Sequence, residues 1–170
     1  GLGSPNHPDA MSLVRVDLAA GAVTARVKTG YLVGAERDGR RTIGGASPGG
    51  VVAGRTQVYV SNATNDTITI VDAESGEAAG QIDLDVPGLE GLRGVIPFGL
   101  ALSPDERRLY VACAGLNAVA VVDTGRRAVE GYIPAGWFTS EVAVSPNGRT
   151  LYVSSAKGLG SGPNGGRGFV

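Results

Sequence analysis

One histidine and one cysteine stand among the scattered carboxylates and asparagines of this chain. His7, in SPNHPDA, has Asp9 two residues on. That pair could begin a metal site, but a bound transition metal takes three or four protein ligands. A hydrolytic centre built on two metal ions needs several Asp and His side chains beside a Ser or Thr nucleophile, which a single histidine does not supply. A Ser-His-Asp arrangement would have to recruit His7, and no nucleophile elbow, a G-x-S-x-G turn between strand and helix, is expected. The glycine-rich KGLGSGPNGG lacks the Gly-Lys-Ser/Thr ending and the following helix of a phosphate loop. It reads, like GLGSPNHPD at the start, as a flexible loop or linker. Cys113 has no basic neighbour and reads as an inert buried thiol. Glu141, in SEVAVS, is the one conspicuous acidic residue on an apolar strand, where a metal held through oxygen ligands would find a start.

Composition narrows the remaining classes. Fifteen Lys and Arg against 16 Asp and Glu leave a net charge of −1 with no basic run. That excludes the phosphate-neutralising stripe that nucleic-acid binding requires. No apolar run is long enough to span a membrane, and one cysteine excludes an internal disulfide. Glycine, at 28 of 170 residues, implies many tight turns and close backbone approaches. The length suits one globular domain.

The elements that must position any site repeat along the chain. QVYVSNATNDTITIVDAESGEAAGQI, RLYVACAGLNAVAVVDTGRRAVEGYI and TLYVSSAKGLGSGPN align on Tyr59, Tyr110 and Tyr152, which lie 51 and 42 residues apart by their numbers. SLVRVDLAAGAVTARV is a partial fourth copy, with Asp17, Asp72 and Asp123 in the same place. A repeated residue is usually scaffold, so these three carboxylates read as turn formers or as blade-to-blade hydrogen-bond partners. The unit is close to the ~40–45 residues of a four-stranded propeller blade, and its hydrophobic period is two, which makes it a sheet.

Within a unit, strand a is FGLALS or SEVAVS and strand b is QVYVS, RLYVA or TLYVS. Strand c is SLVRVD, TITIVD or AVAVVD, and a shorter, more polar strand d follows. PDERR and PNGRT supply the a-to-b turns. Strands a to c are apolar on both faces, so the sheet must be covered twice; blades around an axis do this, with a crowded inner strand of small residues. A β-sandwich would explain the turns but not the repeat. The expected fold is therefore all-β, built of β-propeller blades of four antiparallel strands, with about three blades' worth in this chain. The expected boundaries are 1–44 for strands c and d plus an insertion, 45–96 for a full blade plus an insertion, 97–136 for a full blade, and 137–170 for strands a and b with the glycine-rich tail.

These units, with LALSPDERR and VAVSPNGRT before them, resemble the YVTN-type β-propeller repeat of bacterial cell-surface and periplasmic proteins. GLEGLRGVIPFGLALSPDERRLYVACAGLNAVAVVD, IPAGWFTSEVAVSPNGRTLYV and KGLGSGPNGG resemble the propeller part of bacterial proteins that join such repeats to a phosphoesterase domain of the alkaline phosphatase type. The resemblance implies a periplasmic or secreted location. It implies no cofactor in this segment, and a divalent metal only in the absent catalytic domain.

Propellers need about four blades to close a ring. The expectation is thus a piece of a longer chain, whose open edges meet the remaining blades, the phosphoesterase domain or another copy of this chain. In the up-and-down strand order, the b-to-c loops NATND and AGLN share a rim with the d-to-a insertions YLVGAERDGRRTIGG and DVPGLEGLRGVIP. Loops on a rigid scaffold are where binding residues concentrate. The candidate ligand-binding residues are Asn62, Asn65, Asp66, Glu90, Arg93, Asn117, Trp137 and Phe138. Each has a bland counterpart: the asparagines shape turns, Glu90 and Arg93 pair with each other, and Trp137 and Phe138 pack in the core. Two functions follow: a non-catalytic binding or docking scaffold, or a lactonase-like hydrolase with a channel metal near Glu141.

Overall fold

Every regular element among the residues described by the computed structural model, 4, 6–37 and 39–158, is a β-strand. β1 (Ser12–Asp17) and β2 (Ala22–Lys28) form an antiparallel pair. The connection after them carries a short hairpin of β3 (Glu36–Arg37) and β4 (Arg40–Arg41). β5 (Pro48–Ala53), β6 (Gln57–Asn62), β7 (Thr67–Asp72) and β8 (Ala78–Asp83) then make one four-stranded meander in chain order. β9 (Pro97–Leu102), β10 (Arg108–Cys113), β11 (Ala118–Asp123) and β12 (Ala128–Pro134) make a second. β13 (Thr139–Val144) and β14 (Leu151–Ser155) are a final pair. The architecture is that of blades in a partial propeller: strands c and d, two whole blades, then strands a and b. The rest of KGLGSGPNGG beyond Gly158, and Gly1 to Gly3 and Pro5 of the N-terminal stretch, lie outside the described residues.

Turn chemistry sets the strand ends. Asp17 accepts the backbone N–H groups of Ala19 and Ala20 at 2.8 and 2.9 Å, and Asp72 those of Glu74 and Ser75 at 3.1 and 2.7 Å. Asp123 accepts that of Arg126 at 2.7 Å. These side chains mimic a backbone turn, the first of the two scaffold roles that their repetition allows. At the same end of the blades, Ser103 Oγ donates to Asp105 at 2.7 Å and accepts Arg108 N–H at 3.0 Å. Ser145 does the same with Asn147 and Thr150.

The blades stack face to face. Ile68, Ile70, Ile82 and Leu84 of the β5–β8 blade bury against Leu100, Leu109, Val111, Cys113 and Val122 of the β9–β12 blade. The other face of that second blade, through Ala101, Ala112 and Val119, packs on Val142 with Val144 and Leu151. Its strands are apolar on both sides because both sides are covered. Side chains such as Ile68 and Leu109 are fully buried, and truncating one to Ala removes about 2–5 kcal/mol.

The inner strands β5, β9 and β13 meet along their lengths, and glycine permits the approach. A Cβ on Gly50 would collide with the Phe98 carbonyl oxygen, and one on Gly99 would lie 2.7 Å from the Glu141 Cα.

Candidate functional site

Each d-to-a connection is pinned by the residue that enters strand c. Met11, Asp66 and Asn117 hold that position in successive units, all left-handed with φ of 49°, 53° and 55°. Their side chains reach across to the residue that enters strand a of the next blade. Met11 Sδ accepts Ser47 N–H at 3.4 Å, Asp66 Oδ1 accepts Ile96 N–H at 2.9 Å, and Asn117 Oδ1 accepts Phe138 N–H at 2.8 Å. The receiving residues are left-handed as well, at 51°, 53° and 58°. Asp66 Oδ2 also accepts Gly94 N–H at 2.8 Å. The two carboxylate oxygens of Asp66 thus fasten the second insertion to the first full blade.

The first insertion is fastened to the same loop. Asn65 Oδ1 accepts Tyr31 N–H at 2.8 Å, and Arg37 Nη1 donates to the Asn65 carbonyl at 2.8 Å. Arg37 Nη2 lies 3.1 Å from Asp83 Oδ1, and the guanidinium sits 5.3 Å from the Tyr31 ring centre. Tyr31 Oη donates to Asp83 at 3.2 Å. Burial, then the Asp83 charge, pushes the Tyr31 hydroxyl pKa up. Arg37 is 10% exposed, so its planar fork is set before any ligand arrives.

Between the two insertions and the b-to-c loop lies a cleft of about 530 Å³, within the range that small-molecule sites occupy. Arg37, Arg41 and Arg93 contribute guanidinium groups, Ile43, Ala63 and Ile96 apolar walls, and Thr42 and Thr64 hydroxyl side chains. Of the residues singled out from sequence, Asn65, Asp66 and Arg93 line it. The side chains of Asn65 and Asp66 act as fasteners of the two insertions.

The other sequence candidates go elsewhere. Asn62 is buried and donates to the Thr67 and Thr69 hydroxyls at 3.1 and 2.9 Å. Glu90 accepts Gly88 N–H at 2.8 Å, and that bond lowers its pKa. Asn117 belongs to the next interblade fastener. Phe138 packs against Phe98 with ring centres 5.8 Å apart, under Lys157, while Trp137 beside it stays 44% exposed. His7 Nδ1 accepts Asp9 N–H at 3.2 Å, and the Asp9 carboxylate pairs with Arg26. Glu141 lies over Gly99 and turns back to accept Val142 N–H at 3.0 Å. Among the described residues no three His, Cys, Asp or Glu side chains group as a metal site. Burial pushes the Cys113 thiol pKa up to about 12, which keeps it protonated and inert.

Sequence reading missed Tyr31, Arg37, Arg41 and Ile43, although it marked their insertion. The signal was the Asp-Gly dipeptide inside ERDGRRT, a hairpin turn pair, and Gly39 indeed has a φ of 70°. One correction concerns serine. Gly45-Ala46-Ser47-Pro48-Gly49 does spell G-x-S-x-G. Ser47 opens a strand rather than a helix, its hydroxyl accepts from Thr64 at 2.8 Å, and its left-handed backbone recurs at Ile96 and Phe138. It is a scaffold turn, not a nucleophile elbow.

Fold and cleft together define a propeller segment with a loop-built pocket on one rim. No protein-family model matches the chain, and no curated protein matches it in sequence. Among solved structures it is similar to Kuenenia stuttgartiensis hydrazine synthase, at 28% identity and a TM-score of 0.58, over 65% of this chain and 29% of that one. It is similar in fold to a functionally unknown protein from Desulfotomaculum acetoxidans DSM 771, at 13% identity and a TM-score of 0.62, over 85% of this chain and 41% of that one. The chain spans less than half the length of either structure. No helix among the described residues is long and apolar enough to cross a membrane.

Proposed function

We propose that this chain is a non-catalytic β-propeller segment that serves as a binding platform, with its ligand seated in the rim cleft. The observation that carries the reading is convergence: both long insertions are tied by side chain to one b-to-c loop and enclose a pocket there. Among the described residues the loops elsewhere are short turns, so chain length has been spent at this place. The YVTN-type repeat remains the resemblance that the unit sequences support. On the same footing we place the segment in a longer periplasmic or secreted polypeptide, beside further blades and a phosphoesterase domain that would hold its own divalent metal. The hydrazine synthase likeness covers too little of that protein to bring its activity here.

Ligand-observed NMR against a small-compound panel tests the platform, comparing the chain with its Ala63→Trp variant, whose indole fills the cleft. Compounds that bind the parent and lose binding in a folded variant support it. Compounds that bind both equally place the working site elsewhere.

A further inference from the structure

One guanidinium group of the cleft, that of Arg41, stands outside the ion pairs among the described residues. Four ionisable acidic or basic side chains line it, Arg37, Arg41, Arg93 and Asp66, three of one sign. Both Asp66 oxygens accept backbone N–H groups of the second insertion. Arg37 is matched by Asp83, with Asp85 at 3.7 Å. Arg41 stands opposite Glu36 in the β3–β4 register, yet among the described residues its side chain makes no ion pair or hydrogen bond. Around it the walls are apolar, and Ile43 holds its side chain 87% exposed at the mouth. A cation beside apolar side chains in a concave site suits a molecule with an acidic head and a hydrocarbon body, because a charge-assisted bond and apolar contact form together there.

Resting on the binding-platform reading above, we propose that the cleft formed by Arg41, Thr42, Ile43, Ala63 and Ile96 takes an organic anion, a phosphomonoester or carboxylate on an apolar body. The head group accepts from the Arg41 guanidinium and the Thr42 hydroxyl, and the body lies on Ile43, Ala63 and Ile96. Arg37, clamped by Asp83 and the Asn65 carbonyl, forms the rigid back of the site rather than the anion's partner.

The test uses the full chain and three probes: phenyl phosphate, benzoate and neutral benzyl alcohol, titrated by NMR with assigned amides. The proposal expects one or both anions to shift Arg41, Ile43 and Ile96 amides, and phenyl phosphate against benzoate tells the phosphate source from the carboxylate. Arg41→Gln should weaken the bound anion about tenfold or more, the size of one charge-assisted bond, while leaving benzyl alcohol unchanged. Arg55→Gln, far from the cleft lining, should change neither. Benzyl alcohol binding as well as the anions, or anion binding indifferent to Arg41→Gln, overturns the anion assignment and leaves the platform reading standing. No cleft shift with any probe at millimolar concentration overturns the assignment too, and the Ala63→Trp panel then decides the platform separately.

Discussion

Carboxylates that close the c-to-d turns make the acid response of this protein predictable. Asp72 and Asp123 have pKa values held below the ordinary 3.8, first by the backbone N–H of Ser75 and of Arg126 respectively. A depressed folded pKa means stability that is complete above the unfolded value and is lost as pH falls through the folded one. The urea midpoint should therefore decline on acidification below about pH 4, and an Asp72→Asn, Asp123→Asn double variant should decline less, because the amide oxygen accepts the same bonds without titrating. Equal slopes for parent and variant would remove these two groups from the acid response. The turn carboxylates were legible because Asp recurs in register. The interblade fasteners were legible only by halves: Asp66 and Asn117 drew notice as polar loop residues, but Met11 fills the same position with a thioether that no polar pattern marks.

At the scale of elements, the sequence specifies strands closely because β-branched runs and Pro/Asp/Gly turns alternate at short range. The β7 and β11 spans coincide with TITIVD and AVAVVD, and β9 starts one residue before FGLALS. The short β3–β4 hairpin stayed hidden, since two-residue strands carry no period to read. Its cleft residues stayed hidden with it: which insertion side chains meet depends on contacts between distant loops. The glycine of the inner strand offers a sharper test of blade packing. Gly99→Ala places a methyl carbon 2.7 Å from the Glu141 Cα, a backbone atom that moves only with its whole strand. Overpacking of this kind costs about 1–3 kcal/mol, to be read from the urea midpoint. Gly131→Ala is the control, because nothing lies within 4 Å of the added carbon. If the two variants melt alike, β9 and β13 are not in the close contact described.

For the whole molecule, the unit count decides the behaviour of the isolated chain. Among the described residues, two four-stranded sheets flanked by two-stranded pairs amount to about three blades, below the ~4 that close a ring. The consequence is visible residue by residue. Val14 and Val16 of β1 are 40% and 49% exposed, whereas Ala120 and Val122, their counterparts in the complete blade, are fully buried. Tyr152 of β14 is 61% exposed, while Tyr110, its counterpart, is half-buried against the following strand pair. β1 and β14 are also edge strands, with backbone groups available for pairing. Apolar faces beside open edges favour association, so the 170-residue chain should show a sedimentation coefficient that rises with concentration. A Val16→Lys, Tyr152→Lys variant puts a charge on each open face without touching either internal interface, and should shift the boundary toward the monomer. A parent that sediments as a monomer over about a tenfold concentration range would show that these faces are inert in water. An associating variant indistinguishable from its parent would instead move the sticky surface to the rim, where Ile43, Leu89 and Leu92 are exposed.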